Sequence, residues 1–217
     1  GQDQDKHQRG RQRMTEQTDR GRQPGCLSFY FANYTEWGPK AEEYLDRKAM
    51  KEFHMHLGVE THLEGSALKA ARRRRKAQGY KTYACPSEKT GKGGTSGGTW
   101  VMVQKHLNSH GALPGFQLQE GVPHTKGEQW TAAMIRVKGF DIVFIAAYLE
   151  SGVGLNGTNM RRLGQISEFL KLITVPYVVL ADWNMEPSEL MSVSWPTFVK
   201  GQIVVPKDAT FTCSTGK

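Results

Sequence analysis

The segment Pro176-Tyr177-Val178-Val179-Leu180-Ala181-Asp182-Trp183-Asn184-Met185-Glu186-Pro187 decides how the rest of the chain is read. Its first half is a short apolar run bounded by proline, which reads as a strand over Tyr177 to Ala181. That strand delivers Asp182 and Asn184, polar groups a core has no reason to want. Taken alone, Asp182 could equally cap the following turn. Three other strand-like stretches end in the same manner. Leu27 to Asn33 closes on a carboxamide, and Asp141 to Tyr148 closes on a phenol. Between Phe53 and Glu60, the residues Phe53, Met55, Leu57 and Val59 alternate with His54, His56, Gly58 and Glu60. Singly, Asn33 could start a turn before Gly38-Pro39 and Glu60 could be a surface carboxylate. If the strands run parallel, their carboxyl ends meet along one edge, where sheets flanked by helices bind ligands. Two carboxylates and two carboxamides at one edge make an oxygen-rich site of the kind hard Mg²⁺ prefers.

Helical patterns separate these strands. Pro39 to Met50 carries Ala41, Leu45 and Ala49 four apart, with Pro39 suited to a first turn. Ser66 is expected to cap a basic helix that runs to Gln78 and stops at Gly79. A third helix, about Asn159 to Leu172, has Leu163, Ile166, Phe169 and Leu170 at helical spacing. Further strands are expected at Trp100 to Val103 and Ala132 to Val137, the second joined to Asp141 to Tyr148 by a tight Lys138-Gly139 hairpin. Strands mixed with helices imply an α/β or α+β domain. Residues 1–25 are almost wholly polar and are expected to be a disordered tail, which leaves 26–217 for the domain.

Lys and Arg total 29 against 21 Asp and Glu, a formal charge of +8 that attracts polyanions, nucleic acid first among them. Solubility alone would account for the same balance. The three cysteines, Cys26, Cys85 and Cys213, are far apart and odd in number, so neither a disulfide framework nor a structural zinc site is indicated. No apolar run approaches the roughly 20 residues of a membrane span, and no charged-then-apolar leader is seen. The expected setting is intracellular, with the nucleus as one option and no membrane partner.

At this point the motifs take on a resemblance. PYVVLADWNMEP resembles the strand of the endonuclease/exonuclease/phosphatase superfamily that ends in Gly-Asp-Phe-Asn before a proline, with Ala181 for the Gly and Trp183 for the Phe. Leu57 to Leu63, LGVETHL, resembles the strand ending in Gln-Glu-Thr, with Val59 for the Gln. Ser28 to Asn33 is similar to the first strand, which ends in a metal-proximal Asn. Asp141 to Tyr148 is similar to the strand ending in a catalytic Tyr, with Leu149-Glu150 where Ala-Pro is usual. Gly97-Gly98 followed by Thr99 to Val103 is similar to the Gly-Gly strand between them. Order and spacing agree over about residues 26–213.

The resemblance implies a four-layer α/β/β/α sandwich, two mixed sheets face to face with helices outside. It implies Glu60 and Asn33 at a Mg²⁺ site (Mn²⁺ is an alternative), Asp182 orienting or deprotonating the attacking water, Asn184 donating to the phosphate, and Tyr148 beside the phosphoryl group. It also implies a later strand bearing an Asp and a final Asp-His pair. No His follows His124 and no Asp follows Asp208, while Thr210-Phe211-Thr212-Cys213 resembles the strand before those elements. The fold is therefore expected to be incomplete at the C-terminus and the 217-residue chain to have little hydrolytic activity. The first expectation is a metal-dependent endonuclease or related phosphodiesterase on nucleic acid, DNA ahead of RNA. A non-catalytic relative that binds nucleic acid or a protein, and a phosphatase on a small or lipid phosphoester, are the alternatives.

Other features have two readings each. His54 and His56 could bind Zn²⁺ or Cu²⁺, or be the polar face of a strand under a helix. Gly91 to Gly98 lacks the spacing of a phosphate loop and reads as a connection. Arg72-Arg73-Arg74-Arg75-Lys76 points around its helix, so it is either a solvated face or a partial phosphate contact. Trp37, Trp130, Trp183 and Trp195 could stack on bases or fill a core, with Trp183 the one expected beside substrate.

Overall fold

The computed structural model describes residues 26–91, 93–111 and 128–205. The expected tail over 1–25, Lys92, Cys213 and the strand-like run from Thr210 lie outside the described residues.

Ten strands and six helices form the described part. In chain order they are β1 (Phe29–Asn33), α1 (Pro39–Asp46), α2 (Lys48–Lys51), β2 (Met55–Val59), α3 (Gly65–Ala77), β3 (Tyr80–Cys85), β4 (Glu88–Lys89), β5 (Thr95–Ser96) and β6 (Thr99–Gln104). There follow β7 (Asn108–Gly111), β8 (Trp130–Val137), β9 (Phe140–Tyr148), α4 (Gly157–Leu172), β10 (Tyr177–Asp182), α5 (Pro187–Ser192) and α6 (Trp195–Phe198). One four-stranded sheet has the order β1-β2-β6-β3 and the other β10-β9-β8-β7. Each is mixed: β1 and β2 pair in parallel, as do β9 and β10, and the remaining pairs are antiparallel.

Strand alternation explains the layers. On β2 and β6, Met55, Leu57, Val101 and Val103 pack against Ala133, Ile135, Phe144 and Ala146 of the other sheet, which makes a dry inter-sheet core. Their alternate neighbours face outward. Trp100 and Met102 meet Trp37, Leu45, Met50 and Ala71 beneath α1, α2 and α3. Trp130, Ala132, Val143, Ile145 and Ala147 meet Ile166, Phe169 and Leu170 of α4, with Val199 beyond α6. The result is the expected α/β/β/α sandwich. A buried hydroxyl pair, Thr99 and Thr131 at 2.7 Å, is the polar link between β6 and β8.

Local chemistry accounts for the departures from expectation. The helix expected over Pro39 to Met50 breaks at Arg47, whose ψ of 144° is extended, so it divides into α1 and α2. Helix α3 starts at Gly65 with Glu64 at the N-cap and no side-chain cap bond, so Ser66 lies inside the helix rather than capping it. The stop at Gly79 holds, with φ of 91°. Lys138 and Gly139 both have positive φ, 51° and 84°, the left-handed pair a two-residue hairpin requires.

Candidate active site

The same alternation that builds the inter-sheet core also aims its last residues. Phe31 of β1, Phe144 and Ala146 of β9, and Val178 and Leu180 of β10 all face between the sheets. Two residues on, the inward positions become Asn33, Tyr148 and Asp182. The apolar core thus ends in a carboxamide, a phenol and a carboxylate at the carboxyl ends of the two parallel pairs. Glu60 would point outward by alternation. Its backbone is left-handed instead, with φ of 52°, and this turns the carboxylate toward the others.

Asn33 joins the two sheets. Its Nδ2 donates to Glu60 Oε2 at 2.9 Å and to Asp182 Oδ2 at 2.7 Å. Its Oδ1 accepts the Thr35 backbone N–H at 2.7 Å, which fixes the amide with its nitrogen toward the carboxylates. Burial raises the Asp182 carboxyl above its ordinary value, and the charge of Glu60 adds to this, while hydrogen bonds from Asn33 and Asn184 oppose it. Tyr148 is buried, and its hydroxyl is pushed up to about 12 by burial first and then by the Glu60 charge and hydrogen bond. Asn184 sits in a left-handed turn with φ of 49°, and its Nδ2 donates to the Leu149 carbonyl at 2.8 Å. Of the five residues expected at the site, Asn33, Glu60, Tyr148 and Asp182 therefore touch one another or share partners. Asn184 adjoins Asp182 and ties the turn after β10 to the end of β9.

Surrounding residues hold this arrangement. Thr61 and His62 donate backbone N–H groups to the carbonyls of Gly98 and Gly97 at 3.1 and 3.0 Å, so the turn carrying Glu60 hangs on the glycine pair. Both glycines have positive φ, 73° and 85°. A Cβ on Gly97 would strike the Gln129 amide and press on the Tyr148 ring, and one on Gly98 would strike the Thr61 hydroxyl. Buried Gln129 accepts from Gly98 N at 2.6 Å through Oε1, and its backbone carbonyl accepts from Tyr148 N at 2.8 Å. Arg162 of α4, only 5% exposed, lies 5.7 Å from the Tyr148 ring centroid and donates to the Tyr148 carbonyl at 3.3 Å. Asn159, one turn earlier, accepts from Glu150 N at 2.8 Å and donates to the carbonyls of Glu150 and Gly154 at 3.0 and 2.9 Å. Sequence reading missed Gln129, Asn159 and Arg162 as supports. Polar residues at buried positions of a helix and at a strand start were the available signal, and only the fold shows which positions are buried.

The remaining candidates fall outside the site. His56 is buried under the helical layer between Tyr30, Phe53 and Tyr80, and burial lowers it to about 4. His54 is bound to Ser28, its Nδ1 accepting the backbone N–H at 3.0 Å. Among the described residues no group of three or more His, Cys, Asp and Glu side chains could hold a metal ion, neither at His54/His56 nor at the Glu60/Asp182 edge, where the acids number two. The glycine-rich connection contains the short hairpin β4–β5. Trp37 and Trp130 are buried in the two helical layers, and Trp183 packs on Trp195 at 5.6 Å in a small cluster with Leu163 and Leu190. Trp37 and Trp130 therefore fill cores, while Trp183 is half-buried between Asp182 and Asn184. A cavity of about 460 Å³, lined by Met160, Leu163, Trp195 and Phe198 among others, lies between α4 and α6 on the helical flank. No helix among the described residues is long and apolar enough to cross a membrane.

No family model matches the chain, and no curated protein matches it. Solved structures do resemble it. AP endonuclease LMAP from Leishmania major superposes with a TM-score of 0.50 at 16% identity, over 72% of this chain and 54% of that one. Humanized D. rerio TDP2 carrying 14 mutations gives 0.49 at 15% identity, over 77% and 70%. The endonuclease domain of TRAS1, a telomere-specific non-LTR retrotransposon, gives 0.46 at 14% identity, over 75% and 61%. This chain thus spans a little over half the length of the AP endonuclease.

Proposed function

We propose that this chain, which has the DNase I-like fold of the endonuclease/exonuclease/phosphatase superfamily, belongs to a divalent-metal-dependent hydrolase of phosphodiester bonds in nucleic acid. The observation that carries the reading is the meeting of Glu60, Asn33 and Asp182 at the edge where the parallel strand pairs of both sheets end. A fold gains nothing in stability from two carboxylates turned onto one neutral amide at an exposed edge. Chemistry on a phosphate gives a reason for them.

The residues present fit a hard divalent cation. The two carboxylates share the Asn33 amide and no described cation is paired with either, so negative charge is in surplus. Glu60 would hold the ion with Asn33 beside it. Bound there, Mg²⁺ or Mn²⁺ would supply a Lewis acid to the phosphoryl oxygen and a counter-charge to the leaving oxyanion. The chain's own groups do the rest. Asp182, with its raised proton affinity, is the group to orient and deprotonate the attacking water. Tyr148, protonated throughout the neutral range, donates from its hydroxyl to a phosphoryl oxygen. Asn184, whose side chain donates to the Leu149 carbonyl and to Asp182, would turn its amide from Asp182 toward the phosphate when substrate binds.

The test is a nicking assay on supercoiled plasmid with Mg²⁺, Mn²⁺ or chelator. It compares the 217-residue chain with one extended past Lys217. Metal-dependent nicking by the extended chain, lost in Glu60→Gln and Asp182→Asn, is the expected result. Turnover of a lipid or small phosphoester with none on plasmid would move the reading to the phosphatase alternative. Binding of nucleic acid without cleavage would leave a non-catalytic relative.

A further inference from the structure

The basic run of α3 divides between two tasks. Arg74 donates through Nε and Nη2 to Glu42 Oε1 at 2.8 and 2.6 Å. Arg75 is 2% exposed, donates to Asp46 Oδ1 at 3.2 Å and lies 5.6 Å from the Trp37 ring centroid. These two arginines fasten α3 to α1. Lys69, Arg73 and Lys76 are exposed and form no ion pair among the described residues. Their spacing, i, i+4 and i+7, sets them in one row on the solvent face, with half-buried Arg72 beside it.

Nothing in the helix offsets that row. No Asp or Glu occurs anywhere between Gly65 and Ala77. Like charges at i,i+3 and i,i+4 repel, so the row costs the helix stability, and a merely solvated face would be better served by mixed signs. The row also has a direction. β2 and β3 are both antiparallel to β6, so they run parallel to each other. Helix α3 is the crossover between them, starting just past Glu60 at the site edge and running down the flank of the first sheet. From Lys69 to Lys76 the axis advances roughly 10 Å, about the rise of three nucleotides along one strand of a duplex.

We infer that Lys69, Arg73 and Lys76 form a tracking face for the sugar–phosphate backbone of a nucleic acid, holding the part of the substrate that leaves the site along the outer flank of α3. The inference rests on the nucleic-acid reading of the site but concerns binding, so it is tested apart from cleavage. The full chain and the triple variant Lys69→Ala/Arg73→Ala/Lys76→Ala are titrated with labelled duplex DNA in chelator over a range of salt. A second triple variant, Lys138→Ala/Lys171→Ala/Lys200→Ala, removes the same charge elsewhere. The expected result is that the slope of log K against log salt falls in magnitude by about 3 in the α3 variant and by far less in the control. Circular dichroism should show both variants folded. In an active extended chain, the α3 variant should raise KM for plasmid and leave cleavage of a dinucleotide unchanged. Equal slopes in wild type and α3 variant, or an equal fall in both variants, would overturn the inference. So would loss of binding to phosphatidylserine vesicles with DNA binding intact, which would assign the row to a lipid surface. If no chain cleaves but the α3 slope still falls, the tracking face stands and the hydrolase reading fails.

Discussion

Asn33 is an unusual place for a carboxamide to be held so firmly, with its carbonyl on Thr35 and its nitrogen between two carboxylates. Asn33→Asp would place a third carboxylate among the other two, so metal affinity and carboxylate repulsion should rise together. Asn33→Leu removes the neutral donor the two acids share. Losing Asp182 should cost most, with Asp182→Asn lowering kcat by about a hundredfold or more, the usual worth of a positioned base. Because burial raises Asp182 in the metal-free chain, the pKa of its carboxyl, followed by NMR titration in chelator, should lie above the ordinary aspartate range, and a solvent value would contradict the burial described above. Tyr148, at about 12, should add no alkaline limb to the pH–rate profile below pH 10. At this scale the sequence was legible where a strand pattern ended on a polar residue. Glu60 is the instructive case: alternation alone sends it outward, and only its left-handed backbone brings it back. The turn's glycine partners, Gly97 and Gly98, were visible in the sequence, but their reason for being glycine was not.

Whole elements carry the supporting roles. Helix α4 presents Asn159 and Arg162 to the end of β9, one bonding the loop after Tyr148 and the other lying over its ring. Arg162→Met keeps the volume and removes the donor. It should reduce kcat roughly tenfold or more, in the range of other supporting contacts, while Arg162→Lys recovers only part because it lacks the planar fork. Gly98→Ala forces a side chain into a φ of 85° against the Thr61 hydroxyl, and urea unfolding should show a loss of about 2 kcal/mol. Elements with strong period were read correctly from sequence. Of the four edge strands of the two larger sheets, β1 and β10 were read and β3 and β7 were not. β3, Tyr80–Cys85, mixes exposed Lys81 with half-buried Thr82 and Tyr83, and β7, Asn108–Gly111, is polar throughout, because an edge strand with one open side needs little apolar character. The break at Arg47 left no mark in the apolar spacing either, since Leu45 and Met50 both reach the core on either side of it.

At the scale of the molecule, one buried histidine links stability to pH. His56 is 1% exposed beneath the α1–α3 layer, packed against Tyr30, Phe53 and Tyr80, and Arg75 is the charge that faces it. Folded, it titrates at about 4, below its unfolded value of 6.5. The unfolded chain therefore binds the extra proton first as pH falls. Stability is full above pH 6.5, declines through that point and levels off near pH 4, a loss of about 3 kcal/mol. Urea midpoints should follow this course in the native chain and flatten in His56→Phe. The mixture of periods pointed only to a mixed α/β or α+β domain, and the four layers were implied by the family resemblance. Which strands share a sheet was not legible, because pairing order depends on contacts between β2, β6 and β9 that no local pattern records.

The division of the site between the sheets has a consequence for when the protein can act. Asn33 and Glu60 belong to the sheet built from the first part of the chain, and Tyr148 and Asp182 to the sheet built from the later part. A chain emerging from the ribosome completes β1, β2, β3 and β6 while Asp182 is still unmade. Until β9 and β10 are laid against that first sheet, the two carboxylates stay apart. On the proposed reading the layout works as an assembly interlock: a half-made or half-unfolded molecule holds its two acids apart, and closure of the two sheets is a condition for any chemistry between them.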